Sequence, residues 1–251
     1  MNRITAPLGV QIGTVLLFMI IWEVVGESKL LFEGIVPGIF EIMKAAWIQI
    51  STGFIFPHLM VTAYEAFAGF AFASLFGIVT GLLLGGSPVL RRVFEPPILY
   101  FAATPKIILY PVFLMMLGTK LESKMAMAAV SGFFPIVINT TIAAANVNKI
   151  FLKVAQSVGA SPFQTLVRVY LPSMALPICT GMRLGIGVSL VGAMLGELKV
   201  SNAGLGFIIM QAFNYFRIPD MYASILLTFF FAALINLVMT LILARVRRIA
   251  D

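Results

Sequence analysis

Three residue types that usually carry protein chemistry are nearly missing from this chain of 251 residues. Cysteine occurs once, at Cys179, so no internal disulfide can form and the residue says nothing about redox compartment. Histidine occurs once, at His58, and aspartate only at Asp220 and Asp251. An aspartate-rich prenyltransferase motif is thereby excluded. Ser131-Gly132 has no histidine base at matching depth, so an intramembrane enzyme finds no catalytic set, and no metal site is expected. The phosphate-cradling pattern GxxxxGK[ST] is absent too, so the chain cannot supply that kind of ATP site. Charge is scarce, at 11% of residues, which leaves little to solvate a large surface.

What abounds is apolar. Hydrophobic residues make up 61% of the chain and the mean hydropathy is +1.04, which excludes a soluble globular domain. Runs of about 20 apolar residues are long enough to cross a bilayer. The pattern predicts an all-α, polytopic membrane protein with six spans at 8–25, 59–85, 98–118, 125–145, 174–195 and 222–244, in one domain covering 1–251. The first run has no convincing small-residue cleavage site after it and reads as a retained span.

Six spans put both termini on one side. Arg3, Arg91, Arg92, Lys149, Lys153, Arg168, Arg245, Arg247 and Arg248 fall on that side, against Lys29, Lys44, Lys120, Lys124, Lys199 and Arg217 on the other. The bias makes both termini cytoplasmic by expectation. The formal charge of +7 then reads as membrane topology, and no nucleic-acid partner is expected.

Two segments outside the spans are apolar enough to touch the membrane. Residues 37–50 set Glu41 and Lys44 opposite Ile39, Met43, Trp47 and Ile50, as in an external interfacial helix. Residues 201–216 contain NAGLGF and are too short to span, but can dip inward beside protein. Within the spans, small residues recur every fourth position: Gly69, Ala73, Gly77, Gly81 and Gly85, then Gly181, Gly185, Ser189 and Ala193. Such ridges let helices approach closely. Ordinary packing is the simpler reading, and sliding surfaces of a shape-changing protein the other. Each ridge leads to an acid: Glu65 lies four residues before Gly69, and Glu197 four after Ala193.

The most informative stretch is polar: KVAQSVGASPFQTLVRVYLP, residues 153–172. Lys153 to Val158 can form a helical turn or two that Gly159 stops in a left-handed conformation. Ser161, Pro162 and Gln164 restart a helix with a hydroxyl cap, a first-turn proline and a capping box. Pro172 is expected to end it. Two short helices at a fixed angle would make a rigid knob facing water.

This knob resembles the conserved loop of permease subunits of binding-protein-dependent ABC importers. The family pattern is EAA, three residues, Gly, nine residues, a branched aliphatic, any residue, then Leu-Pro. It falls here on Lys153, Val154, Ala155, Gly159, Val169, Leu171 and Pro172, with Lys in place of Glu and Val in place of the first Ala. GFAFASLFGIVTGLLLG, TPKIILYPVFLMMLG, GMRLGIGVSLVGAMLGE and AGLGFII are similar, in order, to the taurine/sulfonate/nitrate-type branch. The resemblance implies a type I importer permease in a prokaryotic inner membrane, acting as a homodimeric pore. Two separate ATPase subunits would carry ATP and Mg, and this chain would hold no cofactor of its own. A substrate-binding protein would dock outside. The loop at 149–172 would be the coupling element, with Ala160, Ser161 and Pro162 at its turn and Ala155 facing a groove on the ATPase.

The translocation pathway is assigned to the third and fifth spans. Pro105 and Pro111 are expected to break the third, and Lys106, Met115 and Met116 to border the path. Gly185, Ser189, Met194 and Glu197 of the fifth complete it. Glu65 and Arg183 are intramembrane charges, with a proposed pairing between them. The alternative function is an ion-coupled secondary transporter built on those ionisable groups.

Overall fold

The computed structural model describes residues 5–28 and 35–250; Arg3, Lys29 and Asp251 lie outside them. Among the described residues every regular element is helical. In chain order these are α1 (Thr5–Glu27), α2 (Ile39–Ser51), α3 (Ile55–Gly86), α4 (Pro88–Ala103), a 3-10 turn (Lys106–Leu109), α5 (Tyr110–Leu117), α6 (Leu121–Ala145), α7 (Lys149–Ser157), α8 (Pro162–Thr165), a π-turn (Leu166–Tyr170), α9 (Leu171–Lys199), α10 (Leu205–Asn214) and α11 (Ile218–Ala250). Among the described residues five stretches are long and apolar enough to cross a membrane: within α1, α3, α6, the run Pro162–Lys199, and within α11.

The third expected span, 98–118, is not one helix. α4 and the segment Lys106–Leu117 meet at 93°. Pro105 has no N–H to give to the ladder and holds Thr104 extended, at φ −72° and ψ 138°. The freed carbonyl of Ala102 is taken up by the Lys106 ammonium, which also lies 5.2 Å from the centre of the Phe134 ring. Pro111 breaks nothing, because it falls in the first turn of α5, where its missing N–H would be unpaired anyway.

In the core α3, α6 and α9 pack against one another, each touching the other two. The small-residue ridge of α3 runs parallel to α6. A methyl group added at Gly69 would come 2.4 Å from the Cβ of Ala128, at Gly81 2.5 Å from that of Thr140, and at Gly85 2.4 Å from that of Ala144. The α9 ridge runs along α6 in the opposite direction, beside that of α3. Gly181 lies against Asn139, Gly185 against Ile136, and Gly192 against Ser131. Backbones this close gain dispersion along the whole seam, the main source of helix affinity in lipid. Contacts too tight for one methyl group interlock, and the ridges are packing surfaces within one chain.

The outer helices pack more loosely. α2 forms as expected, but the face it buries is Ile42, Ala45, Ala46 and Gln49, against Ala223 of α11 and Trp22 of α1. Gln49 donates to the Asp220 carbonyl at 3.1 Å and accepts from Ser224 at 3.1 Å. Met43, Trp47 and Ile50, on the face that the pattern marked apolar, are exposed. α10 buries Leu205, Ile208 and Ala212 beside α3, α9 and α11, as a dipping segment should.

Candidate coupling loop and buried charge cluster

Asn148 opens α7 by accepting from the Ile150 amide at 2.9 Å. The helix ends at a left-handed Gly159, φ +68°. There the Gly159 amide donates to the Gln156 carbonyl and the Ala160 amide to that of Ala155, both at 3.0 Å, the paired bonds of a Schellman end. Two residues later the chain restarts. The Gln164 amide donates to Ser161 Oγ at 3.2 Å, and the Ser161 amide to Gln164 Oε1 at 2.9 Å, closing the capping box. Pro162 occupies the first turn.

Pro172 does not stop the second helix. The Leu171 amide reaches back five residues to the Leu166 carbonyl. That wider π-turn makes room where the proline lacks a donor. The helix therefore runs on from Pro162 to Lys199, 38 residues, a rod of about 57 Å at 1.5 Å per residue. At its base Tyr170 and Leu171 pack on Ala143, Ala144 and Met174, which fastens the loop to the inner core.

Lys153, Val154, Gly159, Ser161, Pro162 and Pro172 are exposed, and Ala160, Val169 and Leu171 are half-buried. Ala155 is the exception. It is 5% exposed and faces into a groove of about 630 Å³ within the loop itself, with Phe151, Val158, Gln164 and Arg168 around it. The expectation turned Ala155 toward a groove on the ATPase; within the chain it forms the buried floor of this groove, and Val154 and Val158 line the same groove while staying exposed.

The pathway residues divide. Met115 and Met116 are exposed and Lys106 is half-buried. Gly185, Ser189 and Glu197 are buried in the chain's own seam, because the ridge that carries them is the face α9 gives to α6. The open face of α9 is the other one, with Leu184, Gly187, Val188 and Val191 exposed and Met194 half-buried. A cavity of about 1010 Å³ lies between that face and α11, with Arg183, Met194 and Asn236 in its wall.

Glu65 and Arg183 do not pair. Arg183 donates from Nε to Asn236 Oδ1 at 2.8 Å. Antiparallel α3 and α9 instead bring Glu65 beside Glu197, with Lys124 of α6 acting on both. Fourteen residues separate Arg183 from Glu197, about 21 Å along the helix. Lys124, assigned above to a loop, is 2% exposed, and its ammonium donates to the Thr119 and Lys120 carbonyls.

Around these charges the ends of four elements are tied. Thr62 donates to Glu197 Oε1 at 2.6 Å and accepts from the Leu205 amide at 2.8 Å. The Gly206 amide donates to Glu197 Oε2 at 2.7 Å, and the Gly204 amide to His58 Nδ1 at 3.2 Å. Three successive amides at the start of α10 are thus met by side chains from two other spans. Tyr110 donates to the Gly196 carbonyl at 2.9 Å and joins α5 to the same point. Gly204, at φ +108°, has Glu197 Cδ 2.2 Å from where a Cβ would stand, so both backbone angle and space demand glycine. Thr62, His58, Tyr110 and Lys124 escaped sequence reasoning. The usable signal was the pair of acids, each four residues beyond a ridge.

Residues 73–249 match the family model described as binding-protein-dependent transport system inner membrane component. The chain belongs to that family. The permease is 27% identical over 90% of its length to the taurine transport system permease protein TauC of Escherichia coli, of which 84% is covered. It is 28% identical over 84% of its length to the formylaminopyrimidine transport permease protein ThiX of Halalkalibacterium halodurans, of which 83% is covered. Its fold matches a chain of the inward-facing MetNI methionine ABC transporter with a TM-score of 0.66 at 18% identity, covering 83% of the permease and 97% of that chain. The permease is a multi-pass inner-membrane translocation subunit of an ABC importer.

Proposed function

We propose that the permease works as a homodimer, with both termini and the 149–172 loop in the cytoplasm. Each loop seats on a separate ATPase subunit that carries ATP and Mg. A substrate-binding protein docks on the opposite face and delivers a small polar or vitamin-like solute. One observation carries this reading: the helix Pro162–Lys199 is continuous from the capped turn of the loop to the tied end beside Glu197. A continuous helix of that kind carries a displacement of the loop into a displacement of the span. The solute path follows the open face of α9, with Met194, and the exposed Met115 and Met116 of α5. Jamming of α3 and α9 against α6 supports motion of that core as one body.

The test is uptake into proteoliposomes containing permease, ATPase and binding protein. ATP-dependent, vanadate-sensitive accumulation is expected. Accumulation driven by an ion gradient without ATP would contradict the proposal. At Ser189, a substituted cysteine should stay protected from a water-soluble thiol reagent, whereas one at Val188 or Val191 should react in a state-dependent way.

A further inference from the structure

We propose that Glu65 and Glu197 form a resident proton site, in which one proton is held between two buried carboxyls beneath the start of α10. Glu65 is fully buried, and neither of its carboxyl oxygens has a hydrogen-bond partner among the described residues. A carboxylate left in that condition is one of the costliest groups a protein can bury.

The groups facing it fix the balance. Glu197 comes from α9 and Lys124 from α6. Tyr110, from α5, lies within electrostatic reach of both acids, and its hydroxyl proton is committed to Gly196. On α3 itself, Thr62 is committed to Glu197, and His58 accepts from the Gly204 amide. Glu122 acts on Lys124 from the same helix. From α10 come backbone amides; Leu205–Asn214 contains no ionisable side chain. Two carboxylates against one ammonium leave one negative charge unbalanced, and two acids side by side do not both ionise in such surroundings. One proton closes the account.

Its position follows from the donors. Glu197 accepts from Thr62 and from the Gly206 amide at a helix start, both of which favour its ionised form. Glu65 has no such donors. A protonated Glu65 changes from a group with no partner into a hydrogen-bond donor aimed at its neighbour. The proton is then a fixed counter-charge. Without it, like charges would push α3 from α9 at the point where both clamp α10.

Infrared spectroscopy of the full-length permease in lipid at neutral pH tests this. Wild type should show the deuterium-sensitive carbonyl stretch of a protonated carboxylic acid, and Glu65→Gln should remove it. ATP-driven uptake by the complex carrying Glu65→Gln should stay within about two-fold of wild type, since the amide replaces a neutral acid. No such band in wild type would overturn the proposal, in particular if sodium then stabilised the protein, which would assign the balance to a metal cation. A band that persists in Glu65→Gln, or uptake lowered by about tenfold or more in that variant, would overturn it as well. If Glu65→Gln fails to accumulate, Lys124→Met reads the same balance: loss of the cation requires a second proton, so the band should about double. An unchanged band in Lys124→Met would contradict it.

Discussion

The α3–α6–α9 seam and the 149–172 loop both depend on glycine, for opposite reasons. Along the seam glycine is needed for space: a methyl group at Gly69 or Gly85 would stand 2.4 Å from a neighbouring Cβ. At Gly159 nothing lies within 4 Å of where a Cβ would be, and what is needed is a backbone at φ +68°. The seam is a buried, interlocked solid, whereas the loop is exposed and shaped by local hydrogen bonds. Substitutions in the first should therefore remove the protein, and those in the second should leave the protein and remove its function.

The largest effect is expected from Gly81→Leu. Overpacking a seam where Thr140 Cβ is 2.5 Å away should cost at least about 3 kcal/mol and abolish monodisperse protein in fluorescence-detected size exclusion. Gly187→Leu, on the open face of the same core with nothing within 4 Å, should leave that profile unchanged. Equal loss from both would break the comparison.

Ala155→Arg tests the boundary between the two regions, since Ala155 is a buried residue of the loop. A large cation there should lift α7 off the following turn, at a local cost of about 1–3 kcal/mol. ATPase recovered in a pull-down should fall while membrane abundance stays normal. Ser161→Ala removes one half of the capping box and should cost about 1 kcal/mol, which is expected to lower uptake without abolishing it. The smallest effect belongs to Phe216, an exposed residue held at φ +54°. Phe216→Gly relieves about 1 kcal/mol of left-handed strain and should raise the melting temperature slightly with uptake unchanged.

Much of this was legible in the sequence because the signals are local. Apolar runs announced four of the spans to within a few residues, whereas the third is a bent helix pair and the fifth starts at Pro162, twelve residues before its apolar run. The capping box and the left-handed glycine follow from Ser161, Gln164 and Gly159 alone. Pro172 was misread because a proline marks a missing donor and leaves open whether the chain ends or widens into a π-turn. At Pro111 the same ambiguity arose from its place in a first turn. The charge cluster was half visible: both acids stood out, but their meeting depends on α3 and α9 running antiparallel and in contact with each other beside α6. Depth counted from approximate span ends could not choose between Arg183 and Glu197. Lys124 was hidden because a lysine next to a polar loop looks solvated.

Gly159→Val tests the central claim most directly, because it alters the loop's backbone without touching the seam. In proteoliposomes with the ATPase and the loaded binding protein, the account expects normal permease abundance together with loss of ATP-driven uptake, through a detached ATPase or hydrolysis no longer stimulated by the binding protein. Wild-type uptake by Gly159→Val would contradict it and show that this loop does not couple hydrolysis to transport.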